Sequence, residues 1–319
     1  MSQTPGTKTA VITGTTSFIG AHLVRAFAEA GYTVTATLTG PRDSYSGLRA
    51  RRLATLPDSA SFATLDIREG DAVAKLIERL RPDIWVHQAG YTTRYGLPDY
   101  DLAAGFAINV EPLWALFRHC AKTGTGVIVT GSASEYGIAE SPNREEDICL
   151  PETPYALCKL TETLAARQLS LRYGVPTRVA RIFNPIGALD DPNKVLALVA
   201  ESLINNHPID LSPCTQLRDF LAIEDLCTGY LALARDLPRV TFDLFNLSNG
   251  RGTVLKELLL SLAQTLGADP SLLRFGAISM RPGETPVSIG ANDKAQEILG
   301  WKPKPIEEAL NPRMFIQNA

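Results

Sequence analysis

The feature that most constrains this chain is a strict alternation of short β-branched runs with longer amphipathic stretches through its first 185 residues. Thr9-Ala10-Val11-Ile12-Thr13 stops at a glycine, and Phe18, Ile19, Leu23, Val24, Phe27 and Ala28 then recur at helical spacing until Gly31. The same reading predicts strands at 33–38, 62–65, 84–87, 127–130 and 177–182, with helices at about 48–56, 71–80 and 102–121 and another starting near Pro154. Strand and helix in alternation require crossover connections, hence a parallel sheet covered on both faces.

This is a doubly wound α/β chain of the Rossmann type, and ligands of such sheets bind beyond the carboxyl ends of the strands. Beyond Asn184 the rhythm changes to helices at about 194–205, 224–235 and 254–266 between short strands, with Pro282, Pro286, Pro303 and Pro305 punctuating the tail. The pattern predicts a larger sheet domain of residues 1–185 plus about 217–248, the one that the motifs below assign to NAD(P) binding. A smaller α/β C-terminal substrate domain takes about 186–216 plus 249–319.

Lys and Arg number 31 against 34 Asp and Glu, a net charge of −3, which argues against a nucleic-acid partner. Five cysteines without a C-x-x-C pair, and four histidines without paired spacing, argue against a disulfide framework or a metal site. The polar stretch Met1–Lys8 and the absence of a long apolar run predict a cytoplasmic protein with no membrane segment.

Thr13-Gly14-Thr15-Thr16-Ser17-Phe18-Ile19-Gly20 falls at the first strand-to-helix turn. Such a turn aims backbone N–H groups and the positive end of a helix at a phosphate. Gly14 permits the turn and Gly20 permits close helix–strand packing, while Ser17 replaces the usual middle glycine. The second strand ends in Thr37-Leu38-Thr39-Gly40-Pro41-Arg42, with no carboxylate at its tip. Arg42 there favours the 2′-phosphate of NADP over the ribose of NAD, with Asp43 leaving NAD open.

Thr153 is placed as an N-cap and Pro154 as the first residue of a helix, so Tyr155 and Lys159 fall at i and i+4 on one face. A phenol ionises near pH 10, and a neighbouring ammonium is expected to favour its phenolate. Tyr155 could then exchange a proton with a carbinol oxygen while hydride moves at carbon. Ser132, in the serine-rich end of the fifth strand, supplies a hydroxyl for the same oxygen.

With these motifs the chain resembles the extended short-chain dehydrogenase/reductase family acting on nucleotide sugars, over nearly its whole length. The resemblance implies cofactor contacts from Gly14, Ser17, Phe18, Ile19 and Gly20, from Asp66 and Ile67 at the adenine, and from Gln88, Ala89, Asn109, Tyr155, Lys159 and Phe183. It also implies that Arg218 and Arg281 grip the diphosphate of a nucleotide-diphosphate sugar and that Glu284 holds its ribose. Asn184 meets the sugar in that family, and Thr92, following the fourth strand, is placed to touch the hexose. A homodimer formed through the helices starting near Leu102 and Pro154 is implied as well.

Dehydratases of the family carry acidic residues directly after the active-site hydroxyl, where this chain has Ala133 and Ser134. The motifs look most like reductases of nucleotide-linked 4-keto-6-deoxyhexoses, which would use NADPH. A 4-epimerase working with bound NAD is the alternative expectation.

Overall fold

The computed structural model describes residues 7–137, 142–280 and 284–310. Seven strands form one sheet: β1 (Thr9–Ile12), β2 (Thr33–Leu38), β3 (Ser61–Thr64), β4 (Ile84–His87), β5 (Gly126–Ser132), β6 (Thr177–Ile182) and β7 (Phe242–Leu247). Their order is β7-β6-β5-β4-β1-β2-β3, and the paired registers among β1 to β5 are all parallel. The order reverses between β1 and β4, which is where a sheet of this kind opens a crevice at its carboxyl edge.

The central strands are buried on both faces, with successive side chains pointing to opposite sides of the sheet. Val11, Trp85, Val127, Val129 and Val179 point to one face and meet Leu113, Phe117 and Leu169 from the helices there. Removing Trp85 or Phe117 from water contributes about 2–3 kcal/mol each. The helices are α1 (Phe18–Glu29), α2 (Gly47–Ala54), α3 (Gly70–Leu80), α4 (Leu102–Gly105), α5 (Pro112–Thr123) and α6 (Pro154–Tyr173). Ser17 caps α1 by accepting the Gly20 N–H at 3.0 Å, and Thr153 caps α6 by accepting that of Ala156 at 3.1 Å. Each cap is worth about 1 kcal/mol.

The single helix expected over 102–121 is instead broken by a π-helical stretch, Phe106–Val110, between α4 and α5. The inserted turn buries Asn109, and such bulges often mark functional positions.

The chain divides into two compact units: Met1–Gly137, Ile148–Arg181 and Cys227–Phe245 form the first, and Ile138–Asp147, Ile182–Leu226 and Asn246–Ala319 the second. This departs from the expected division at 217–226, which falls in the second unit. The reason is pairing: Leu217–Arg218 bonds to Thr253–Val254 and Val287–Ser288, and Leu221–Ala222 to Pro185–Ile186, all in that unit. Its core packs α7 (Val195–Ile204) against α8 (Leu255–Leu266), with Val199, Leu203, Leu258, Leu259 and Leu262 buried between them. No helix among the described residues is long and apolar enough to cross a membrane.

Candidate active site

The glycine turn is held from two sides, by the end of β4 and by β2. Thr13 Oγ1 accepts the N–H groups of Gln88 and Ala89, both at 2.9 Å, tying the end of β1 to the end of β4. Thr15 Oγ1 donates to the Thr37 carbonyl of β2 at 2.7 Å. The Gln88 amide donates to Ser17 Oγ at 3.0 Å and to the Gly14 carbonyl at 3.1 Å. Gly14 has φ +68°, and a Cβ on Gly20 would lie 2.2 Å from the Gly14 carbonyl oxygen, so neither tolerates a side chain. Phe18 is buried in the first turn of α1, with Ile19 beside it. This close β1–α1 approach is what a dinucleotide cradle requires.

Of the other positions expected at the cofactor, Asp66 and Ile67 follow β3 and Asn109 lies in the π-helical stretch. Ile67 is buried, and Asp66 pairs with Arg68, whose Nη2 lies at 2.5 Å. The Arg68 guanidinium holds the Asp66 carboxyl below its ordinary range. Asn109 Oδ1 accepts the Tyr91 N–H at 2.7 Å, while its buried Nδ2 has no partner among the described residues. This orphaned buried donor lies beside Gly90, just after β4, and is consistent with a polar ligand; with the Gly14–Gly20 turn these residues fit a nicotinamide dinucleotide.

Arg42 is exposed and lies with its guanidinium 4.6 Å from the Phe62 ring centre, its Nη2 donating to the Leu53 carbonyl at 3.3 Å. The guanidinium fork expected to await a phosphate is thus stacked on an aromatic face. A second arginine, Arg52, which the sequence reading did not single out, donates to the Thr16 carbonyl within the turn at 3.2 Å.

Ser132, Tyr155 and Lys159 come together in the first unit. Tyr155 opens α6, and Lys159 one turn later is buried. The Ser132 hydroxyl, paired with Ser134 Oγ at 2.8 Å, interacts with the Tyr155 phenol. Burial drives the phenol above its ordinary value of 10, while Lys159 and the Ser132 hydroxyl pull it down and Glu162 and Tyr95 push it up. The expected lowering by the ammonium is present, and desolvation outweighs it.

Several site residues carried no sequence signal. Glu135 accepts the Ser132 backbone N–H at 2.7 Å and Arg181 Nε at 2.8 Å. Lys159 Nζ donates to Glu162 Oε2 and to the Thr130 carbonyl, each at 2.6 Å. Burial pushes the Glu162 carboxyl up while the Lys159 ammonium, hydrogen-bonded to it, pulls it down. The rings of Tyr95 and Tyr100 flank Tyr155 with centroids at 5.5 and 5.6 Å. Thr92 is exposed in the loop after β4.

In the second unit Arg218 pairs with neither Asp219 nor Asp225 but with Glu284, Nη2 to Oε1 at 3.2 Å, and Gln216 donates to the same oxygen at 2.8 Å. The two residues expected at different parts of the nucleotide therefore hold one another. Asp219 is buried and accepts the N–H groups of Asn249 at 2.7 Å, Gly250 at 3.0 Å and Gly290 at 3.3 Å. Asn184 Nδ2 donates to the Asp219 carbonyl at 2.9 Å. The Phe183 ring is fully buried and packs where a Cβ on Gly290 would lie 2.5 Å away, which leaves only its backbone for any cofactor contact. Arg281 lies outside the described residues.

The family model described as the NAD dependent epimerase/dehydratase family matches residues 10–247. The chain belongs to this family. A UDP-glucose 4-epimerase of Cyamopsis tetragonoloba is 27% identical over 93% of this chain and 91% of its own length. The UDP-glucose 4-epimerase of Thermotoga maritima, solved with UDP-glucose, superposes with a TM-score of 0.82 at 23% identity, over 97% of this chain and 98% of its own. DesIV of Streptomyces venezuelae, a dTDP-glucose 4,6-dehydratase solved with NAD and TYD, gives 0.80 at 24% identity over 97% of each chain. These two likenesses establish the fold.

Proposed function

We propose that the chain is a nucleotide-sugar 4-epimerase acting on a nucleotide diphosphate hexose. The carrying observation is the Ser132–Tyr155–Lys159 cluster followed by Ala133 and Ser134, which offers proton exchange at a carbinol but no second acid pair for dehydration. The sequence motifs alone point first to ketone reduction; the relatives named as UDP-glucose 4-epimerases favour epimerisation.

The nicotinamide, when bound, supplies a reversible hydride acceptor for C4. Tyr155 takes the proton of the 4-hydroxyl and later returns it, Ser132 holds that oxygen by a hydrogen bond, and Lys159 fixes a positive charge at the phenol. The Gly14–Gly20 turn and the start of α1 would hold the diphosphate of the dinucleotide, with Asp66, Ile67, Gln88, Ala89 and Asn109 lining its path. Arg218 and Arg281 would take the sugar nucleotide's diphosphate, with Glu284 at its ribose and Asn184 and Thr92 at the hexose.

A second reading, NADPH-dependent 4-keto reduction, is favoured by one observation: β2 ends at Leu38-Thr39-Gly40 with no carboxylate for a cofactor ribose, and Arg42 and Arg52 lie nearby. Incubating the protein with UDP-glucose without added cofactor and resolving the hexoses separates the two. Isomerisation without net cofactor use supports the epimerase. Stoichiometric NADPH oxidation with a 4-keto-6-deoxyhexose nucleotide, and no isomerisation, replaces it with the reductase.

A homodimer is part of the proposal. Leu157, Leu164 and Leu171 are 42%, 56% and 52% exposed at seven-residue spacing along α6, and Trp114 on α5 is 51% exposed. Such a stripe on two adjacent helices suits a helical interface between copies. The cysteines are all free thiols, which suits the reducing cytosol.

A further inference from the structure

Lys159 does not face Tyr155 as a free cation. An ammonium has three N–H donors. Two of them are committed, one to Glu162 Oε2 and one to the Thr130 carbonyl, both at 2.6 Å. The Lys159 and Glu162 side chains are only 8% and 2% exposed, so water does not screen their interaction. Glu162 stands three residues after Lys159 on α6, on the face that carries the catalytic pair.

We infer that Glu162 is a positioning residue that sets the proton affinity of Tyr155 through Lys159, pairing with the ammonium so that Tyr155 keeps its proton until a further positive charge reaches the site. The inference rests on Tyr155 being the proton carrier of the proposed reaction. A carboxylate hydrogen-bonded to the ammonium cancels most of the field that the cation would impose on the phenol. The pairing also orients Nζ, leaving one donor for other partners.

The remaining groups around the pair do not perform this task. His87 on β4 lies near Lys159 but is held neutral by burial. Glu135, from the turn after β5, is engaged by Arg181 and the Ser132 N–H. Tyr230, from the helix Ile223–Asp236, is bonded to Thr130 Oγ1 at 2.7 Å. Burial holds the Tyr100 phenol and the Cys158 thiol in their protonated forms, and Tyr95 presents only a packed ring to Tyr155. Among the described carboxylates, Glu162 is the one hydrogen-bonded to Nζ.

The test titrates Tyr155 by its phenolate absorbance, taken as the difference between the full chain and its Tyr155→Phe variant, with and without Glu162→Gln. Tyr155 should ionise at least about one pH unit lower in Glu162→Gln, a tenfold larger phenolate fraction at a given pH. Glu162→Asp withdraws the carboxylate by one methylene and should move the midpoint the same way by less. It decides the matter should Glu162→Gln fail to fold by circular dichroism. A midpoint that stays or rises in the folded variants overturns the inference. Because no substrate is present, that outcome is distinct from failure of the epimerase reading, which would show as absent turnover in the unaltered chain.

Discussion

The carboxylate of Glu135 holds the backbone N–H of Ser132 with one oxygen and Nε of Arg181 with the other, at 2.7 and 2.8 Å. Both side chains are buried, and Arg181 also lies over the Tyr136 ring at 4.5 Å. Removing one partner of such a pair strands the other in a low-dielectric site. Glu135→Ala should therefore destabilise the fold by about 3–5 kcal/mol. Glu135→Gln keeps an acceptor for the Ser132 N–H and should lose less. Urea unfolding followed by circular dichroism measures both, and an unchanged midpoint for Glu135→Ala would refute the account.

Tyr155→Phe removes the proposed proton carrier while leaving the ring in place between Tyr95 and Tyr100. Turnover should fall by about 10²–10⁴-fold. Dinucleotide binding, measured by calorimetry, should stay within a few-fold of the parent because the glycine turn is untouched. Retained turnover would remove Tyr155 from the mechanism.

His87 makes stability depend on pH in a defined direction. It is fully buried with neither ring nitrogen bonded among the described residues, and burial, aided by the Lys159 charge, lowers its pKa from 6.5 to about 3. Between these values the unfolded chain binds a proton that the folded chain refuses, so stability rises with pH across that window and is lost as pH falls below 6.5. The contribution is on the order of 4–5 kcal/mol over the full window. His87→Leu should flatten this dependence in unfolding measured from pH 4 to 8. A slope that survives the substitution would assign it to other groups.

Arg42 tests the cofactor. If it contributes to reading a 2′-phosphate, Arg42→Glu should shift the NADP-to-NAD affinity ratio by at least about tenfold towards NAD. An unchanged ratio would leave Arg42 with its packing against Phe62 and would turn attention to Arg52.

The leucine stripe of α6 predicts association. Leu164→Glu with Leu171→Glu places two charges on an exposed face, so the monomer fold should persist while a dimer dissociates. Sedimentation velocity reads the outcome, and an unaltered sedimentation coefficient would place any interface elsewhere.

The alternation of elements and the Tyr155–Lys159 pair were legible in the chain because both rest on local geometry. A strand alternates every two residues, a helix returns every 3.6, and i and i+4 share a face whatever surrounds them. The caps at Ser17 and Thr153 are local in the same way. The π-helical stretch at Phe106–Val110 was not legible, since its apolar pattern also suits a regular helix.

Partners of buried charges were decided only in three dimensions. Glu135 meets Arg181 across 46 positions, and Arg218 meets Glu284 across 66. Which charge a buried carboxylate finds depends on which strands and loops become neighbours, and periodicity carries no record of that. The proton affinity of Tyr155 belongs here too. Spacing alone placed a cation beside the phenol, whereas tertiary packing supplied the desolvation that outweighs it and the Glu162 carboxylate that pairs with the cation. The sequence by itself determined where the reacting groups stand on their elements; the folded structure decided their charge environment, because electrostatic energy depends on distance and burial rather than on order along the chain.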